Sequence, residues 1–364
     1  MNILHVLYSG LGGHSNVLFS MVEADMEKEF RYQALFNGVE QIRQEYIARC
    51  KGNEIKWAYL HKKKGLDLNY LFQLYKQIKG SKADIIFLHG GNAVISARLA
   101  KFFSRNIKRI VVRETQANHL KGVADWIRLS LALIFADKII FLTPEYKDQV
   151  AAKLKWIFRE KKTTVIPNGI NTAVFQSVPR LPGPVIQLGM QSRLVKIKDH
   201  KTVLNAMALL LSKPDYKGRL QFTIAGDGQT KTELMQLVGY LGIEANVFFT
   251  GTLDETELVA YLNNLDIYVH ASLGETMSTS IMQAMACGKP VIASDVPGIN
   301  NMLEDRETGL LIPPEDVNAL ADAISVLVND PALAGKIASQ GARFAISHYS
   351  NALMFSRYRL IFNS

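Results

Sequence analysis

Short apolar, β-branched runs alternate along this chain with longer segments whose apolar positions recur every three or four residues. In the first half the pattern predicts strands over 2–8, 31–37, 54–61, 84–89, 109–113 and 138–143. Helices are expected over 17–29, 68–79, 93–104 and 126–135, and a last strand closed by a turn over 164–170. After the proline- and glycine-broken stretch 176–184 the alternation restarts. Strands are expected over 185–189, 220–225, 247–250, 267–270 and 291–294, and helices over 201–211, 231–241, 255–263, 280–287 and 317–328, with an amphipathic end over 350–362. Strands alternating with helices specify parallel sheets covered on both faces. The fold expected is therefore α/β: two Rossmann-like, doubly wound domains facing a cleft. Their bounds are read as 1–178 and 179–345, with 346–364 a helix that packs back on the first domain.

Length agrees, since 364 residues suit two α/β domains. The two cysteines, Cys50 and Cys287, lie far apart in segments that read as interior. They offer neither a disulfide scaffold nor a zinc cluster, and a reducing cytoplasm is expected. The start of the chain lacks a basic region before its strand-length apolar run, so no signal peptide is expected. The longest helical apolar run, 126–135, is broken by Arg128 and too short for a membrane span.

Charge changes the picture more. Residues 1–180 carry 28 Lys and Arg against 15 Asp and Glu, and the remainder carries 14 against 18. Such asymmetry points the first half toward an anionic partner, whether phosphorylated acceptor, acidic lipid surface or nucleic acid. It is also readable as a merely soluble basic face. No nucleic-acid module or aromatic stacking strip accompanies the charge, and nucleic-acid binding is not expected.

In open parallel sheets ligands bind at the carboxyl ends of strands, where glycine-rich turns present backbone N–H groups. Four regions qualify. The first is Ser9-Gly-Leu-Gly-Gly-His14, with Gly12 and Gly13 before a helix and His14 beside them. The second follows Gly189 and offers Arg193 and Lys198, two cations suited to a departing diphosphate. The third comprises the turns at Gly226 and at Gly251-Thr-Leu253, and the fourth runs from Gly274 through Glu275 to Met277, Ser278, Thr279, Ser280 and Gln283. Taken singly, each is also readable as a tight turn or a solvated basic loop.

Together they resemble a known family. The run from Gly274 to Pro314, with Ala284-Met-Ala-Cys-Gly-Lys-Pro-Val-Ile-Ala-Ser-Asp295 and Glu307-Thr-Gly-Leu-Leu-Ile-Pro-Pro314, resembles the donor site of the family 4 retaining glycosyltransferases of group 1, which have the GT-B fold. Arg193, Lys198 and Val165-Ile-Pro-Asn-Gly-Ile170 extend the resemblance. It implies that Arg193 and Lys198 hold the donor pyrophosphate, Glu275 the donor sugar, and the helix N-terminus near Ser278 the phosphates. The family's second Glu, on the ribose, is here Gln283. The usual Gly-Phe-Gly after Glu275 reads Thr276-Met277-Ser278. The family's first-domain His falls on Thr115, leaving His119, Arg113 or Glu114 as substitutes, and His89 beside Gly90 resembles a cleft-facing motif.

The resemblance implies a retaining, front-face transfer from a nucleotide-sugar, UDP-linked as is common in the family, with no metal or cofactor. Arg193, Lys198, Glu275 and His119 are the expected catalytic residues. Gly12, Gly13, Gly189, Gly226, Gly251, Leu253 and residues 277–280 with Gln283 line the donor, and His14, His89, Arg113 and Glu114 face the acceptor. A glycan or lipid-linked acceptor of bacterial envelope polysaccharide assembly is expected, met at an anionic membrane surface by a cytoplasmic, peripheral enzyme. Two alternatives stay open: a nucleotide-sugar binder without transferase activity, and a nucleotide-sugar 2-epimerase.

Overall fold

The computed structural model describes residues 1–10, 13–65, 67–179 and 183–364. It divides into two compact units, Met1–Asn171 with Asn351–Ser364, and Thr172–Ser350.

In the first unit the described strands are β1 (Asn2–Tyr8), β2 (Arg31–Gly38), β3 (Lys56–His61), β4 (Ile85–His89), β5 (Arg109–Arg113), β6 (Lys138–Phe141) and β7 (Thr163–Val165). They form one parallel sheet in the order β3-β2-β1-β4-β5-β6-β7. Helices α1 (Gly13–Ala24), α2 (Gln44–Gly52), α3 (Leu68–Gly80), α4 (Val94–Phe102), α5 (Val123–Phe135) and α6 (Pro144–Lys153) connect them. Buried Leu74, Ala97 and Leu133 of α3, α4 and α5 share one apolar cluster with the strands. Strand order reverses between β1 and β4, which opens a crevice at their carboxyl ends.

The second unit repeats the plan. Strands β8 (Ile186–Gln191), β9 (Leu220–Ala225), β10 (Val247–Gly251), β11 (Ile267–His270), β12 (Val291–Ser294) and β13 (Leu310–Ile312) form a parallel sheet in the order β10-β9-β8-β11-β12-β13. Helices α7 (His200–Leu211), α8 (Lys231–Leu241), α9 (Glu255–Asn264), α10 (Thr279–Ala286), α11 (Val317–Asn329) and α12 (Pro331–Tyr349) complete it. Here the order reverses between β8 and β11.

The last helix, α13 (Asn351–Asn363), belongs to the first unit. Its Met354, Phe355, Tyr358 and Phe362 pack on Ile3, Phe87, Val111 and Ile140 of the first sheet and on Val17 and Met21 of α1. The units divide at 171/172 and 350/351, not at 178/179 and 345/346. Val178 N donates to Asn263 Oδ1 at 2.9 Å and Asn263 Nδ2 to Gln176 O at 3.1 Å, so the first residues of the proline- and glycine-broken stretch already belong to the second unit. Asn351 N donates to Ile170 O at 2.7 Å, which ties the returning helix to the last segment of the first unit.

Helices α2, α6 and α12 and strand β13 are absent from the sequence reading. Two had legible starts: Thr143 Oγ1 accepts from Tyr146 N at 3.3 Å with Pro144 at the first helical position, and Asp330 accepts from Leu333 N at 2.9 Å before Pro331. The last strand of the segment 164–170, expected to be closed by a turn, is Thr163–Val165, and Pro167 has no N–H to continue its ladder.

Candidate active site

The second unit gathers its chemistry at the reversal between β8 and β11. The loop after β8 is stitched to the loop after β11. Leu273 N donates to Ile197 O at 2.9 Å, Ser272 Oγ to the same carbonyl at 3.1 Å, and Asp199 N to Ala271 O at 3.2 Å. This lacing sets Lys198 beside Glu275, and their side chains form an ion pair that is largely out of solvent. Burial, and after it the positive charge of Arg193, lowers the Lys198 ammonium to about 7. The Glu275 carboxylate works against that shift.

His270, the last residue of β11, completes the cluster. It is fully buried, with Nε2 at 3.0 Å from Glu275 Oε1, 3.3 Å from Ser278 Oγ and 3.5 Å from Lys198 Nζ. Its Nδ1 lies 3.4 Å from Tyr268 OH and 3.5 Å from Ser280 Oγ. Burial, then the charge of Lys198, pushes its pKa well below the usual imidazole range, so the ring is neutral and carries one N–H. With that hydrogen on Nε2 the ring donates to Glu275 while Nδ1 accepts from a hydroxyl, and Lys198, a donor only, bonds the carboxylate rather than the ring. His270 is missing from the sequence reading; its place at a strand's carboxyl end was the available signal.

Helix α10 is capped by Ser278, whose Oγ accepts from Ile281 N at 3.5 Å. The N–H groups of its first turn make that end positive and suited to an anion. Gly298 holds the preceding loop in place: at φ +85° its missing Cβ leaves room for the carbonyls of Glu275 and Thr276, which a side chain would strike. Gln283 and Met277 are buried, Thr279 and Ser280 half-buried, and Arg193 exposed.

Other expected donor contacts serve the scaffold. Gly189 lies inside β8, where Tyr261 of α9 and Leu265 just past its end occupy the space of a Cβ. Gly226 N donates to Gly251 O at 2.7 Å, and the Gly226 Cα faces the Ser192 carbonyl at close range, so these glycines join two turns. Leu253 is half-buried just before the Asp254 cap of α9, and Gly12 lies outside the described residues.

The first unit has its own polar cluster at the β1/β4 reversal. His5 Nδ1 lies 3.1 Å from His89 Nε2, the His89 ring stacks on His14 at 5.5 Å, and His14 Nε2 lies 3.2 Å from Thr115 Oγ1. Burial lowers His5 to about 3, and burial followed by the neighbouring imidazoles takes His89 well below its usual range. Both are neutral. His14, at the start of α1 just after Gly13, is the half-buried outer member.

Of the remaining first-unit candidates, Arg113 is the register partner of His89 in the sheet but is engaged elsewhere, as is Glu114, and His119 is in an exposed turn. His119 is exposed in a turn, with its ring against Tyr146 at 6.4 Å. Arg113 is buried and donates to Asn168 Oδ1. Glu114 pairs with Lys121 at 3.4 Å and accepts from Gln116 N at 3.0 Å. A charge at a strand end reads as chemistry until its partner is seen, and these two hold loops together.

Among the described residues no group of three or more His, Cys, Asp or Glu is placed to hold a metal ion, and no helix is long and apolar enough to cross a membrane.

Two family models match the chain in succession, "Glycosyltransferase Family 4" over residues 11–174 and "Glycosyl transferases group 1" over 175–344. The chain belongs to the group 1 glycosyltransferases of family 4. It is 32% identical over 130 residues to an alpha-D-kanosaminyltransferase of Streptomyces kanamyceticus, covering 36% of this chain and 34% of that one. It is 29% identical over 206 residues to a phosphatidyl-myo-inositol mannosyltransferase of Mycobacterium leprae, covering 55% and 53%. A lipopolysaccharide core biosynthesis glycosyltransferase, LpsE of Rhizobium meliloti, is 26% identical over 226 residues, covering 61% and 63%. The chain thus spans from a third to under two thirds of these relatives' length. In fold it is similar over 100% of both chains to Alr3699/HepE of Anabaena, solved with UDP and glucose, at a TM-score of 0.83 and 20% identity. A Rickettsia africae glycosyltransferase gives 0.82 at 17%, over 99% and 97%. The architecture is two Rossmann-like units of the GT-B kind.

Proposed function

We propose that this protein is a retaining, metal-independent glycosyltransferase that moves a hexosyl group from a UDP-sugar to a saccharide or lipid-linked acceptor of the bacterial cell envelope. The observation that carries the reading is the Lys198–Glu275 pair, buttressed by His270 and set beside the α10 N-terminus at a parallel sheet's reversal. UDP is favoured because the similar Anabaena structure holds it, and an envelope acceptor because relatives are named for phosphatidyl-myo-inositol and lipopolysaccharide core. The free, buried thiols of Cys50 and Cys287 suit a cytoplasmic site, at the inner membrane face where a lipid-linked acceptor would lie.

In this reading the donor diphosphate takes Lys198 away from Glu275 and is held by Lys198, Arg193 and the α10 amides. Glu275, still fixed by His270, is left to accept from sugar hydroxyls. As the bond between the anomeric carbon and the diphosphate oxygen breaks, the growing negative charge is met by the two cations and the helix end, which is the work a metal does elsewhere. The acceptor hydroxyl enters on the face the diphosphate leaves. Its oxygen bonds the anomeric carbon, its proton passes to the departing phosphate oxygen, and configuration is kept without an enzymic nucleophile.

The test is a panel of UDP-, GDP- and ADP-sugars in EDTA, read as nucleotide release and repeated with Glu275→Ala and Lys198→Ala. Release from one donor that both substitutions abolish supports the proposal. Gln283, in place of a ribose-binding carboxylate, favours one other reading, a nucleotide-sugar binder without turnover. Donor binding with no release, even with lipid-extract acceptors present, would establish it.

A further inference from the structure

The outer surface of α3, α4 and α5 is unlike the rest of the first unit. The three helices lie side by side, α4 packing against both neighbours, with their inner faces in the sheet's apolar cluster. Their outer faces also carry exposed apolar side chains, set among cations. On α4, Ile95, Leu99 and Phe102 are exposed at a spacing of four and three, with Arg98 between them and Phe102 79% accessible. Phe72 on α3 and Val123 and Ile127 on α5 continue the surface. Just beyond α6, Trp156 is 81% accessible. Single exposed apolar residues are ordinary. A repeat at helical spacing on adjacent helices is not.

Cations are threaded through these apolar groups. Lys76 Nζ lies 4.5 Å over the Phe72 ring, and Lys79 reaches from α3 to within 5.9 Å of the Phe103 ring past the end of α4. Lys153 Nζ lies 4.0 Å over Trp126 of α5, and Lys155 5.2 Å over Trp156. Against them the three helices carry one carboxylate, Asp125, which is held by the Gly122 amide at 3.1 Å and by Arg128 at 2.6 Å.

We infer that the outer face of α3, α4 and α5, with Trp156, docks on an anionic lipid bilayer. Aromatic and aliphatic side chains enter the boundary of headgroups and acyl chains, while Lys and Arg keep their charged ends among lipid phosphates. A second copy of this chain fits less well, because a two-fold contact would set these cations against their own counterparts. The inference deepens the proposed lipid-linked acceptor, on which its purpose rests, although its test needs no transfer.

The experiment is co-sedimentation of the full chain with vesicles of equal parts phosphatidylglycerol and phosphatidylcholine, and with vesicles of phosphatidylcholine alone. Binding to the mixed vesicles is expected, weakened by salt, with little binding to the neutral ones. Combining Phe102→Ser with Trp156→Ser is expected to weaken it at least about tenfold, and Arg98→Gln about fivefold. Nucleotide release from the donor should be unchanged in these variants, which also reports that they are folded. Absence of binding to the mixed vesicles, equal binding by the Phe102/Trp156 variant, or a dimer that this variant dissolves would each overturn the inference. Vesicle binding lost while release persists would leave the transferase reading intact, and the reverse would leave the docking face intact.

Discussion

His270 Nε2 lies 3.0 Å from Glu275 Oε1, the same carboxylate oxygen that pairs with Lys198. A neutral, fully buried imidazole thus keeps the carboxylate in place whether or not the lysine is engaged. Replacing His270 with Ala removes a hydrogen bond to a charged group. A loss of about 10- to 100-fold in kcat/KM for the donor is expected, with the thermal midpoint measured alongside. Activity within about twofold of wild type would show that Glu275 needs no such support.

Lys198 should make donor binding pH-dependent. In the free protein it titrates at about 7, lowered by burial and by Arg193. A bound diphosphate favours the ammonium and raises that value, so binding takes up a proton above pH 7 and none well below it. Donor affinity is expected to hold from pH 6 to 7 and then to fall with rising pH, by up to about tenfold per unit. Calorimetry in buffers of different ionisation enthalpy would report the proton uptake. Lys198→Arg should flatten the profile, and flat affinity in the wild-type protein would refute the assignment.

In the first unit His14 and His119 are expected to separate. His14 sits with His89 and Thr115 at the sheet reversal, whereas His119 rests on Tyr146 in an exposed turn. His14→Ala should lower transfer by about tenfold or more, the worth of one hydrogen bond to a reacting ligand. His119→Ala should stay within about twofold. Steady-state rates with saturating donor decide between them, and the reverse ranking would return His119 to the catalytic set.

Gly298→Ala tests the loop that carries Glu275. The residue stands at φ +85°, and a methyl group would strike the Glu275 and Thr276 carbonyls. A destabilisation of about 1–3 kcal/mol is expected in urea unfolding. The donor KM should rise even where the variant is fully folded, because relief of the clash moves the Glu275 backbone. An unchanged KM in the folded variant would separate this glycine from the site.

Much of the fold was legible because it is local. The runs at 220–225 and 231–241 match β9 and α8, since an apolar run, a helical period and Gly242 in the left-handed region at φ 66° each act within a few residues. Helix α2 was not legible: it buries only Tyr46 and Cys50 among nine mostly polar residues, too few apolar positions to mark a period. His270 was hidden for the opposite reason, as the end of a short apolar strand that reads as interior. Arg113 and Glu114 drew notice as charges at a strand end, yet Asn168 and Lys121 engage them.

The order of strands and helices, the restart after the proline-rich stretch, the basic first half and the candidacy of Lys198 and Glu275 were therefore determined by the sequence itself. Each depends on residue types and spacings along the chain. Tertiary structure alone decided that those two side chains pair, that His270 braces them, that His14 rather than His119 stands with His89, and where the chain passes from one unit to the other. These outcomes depend on burial and on hydrogen bonds between segments distant in sequence, and the energy of a charge or an imidazole is set by what surrounds it in space.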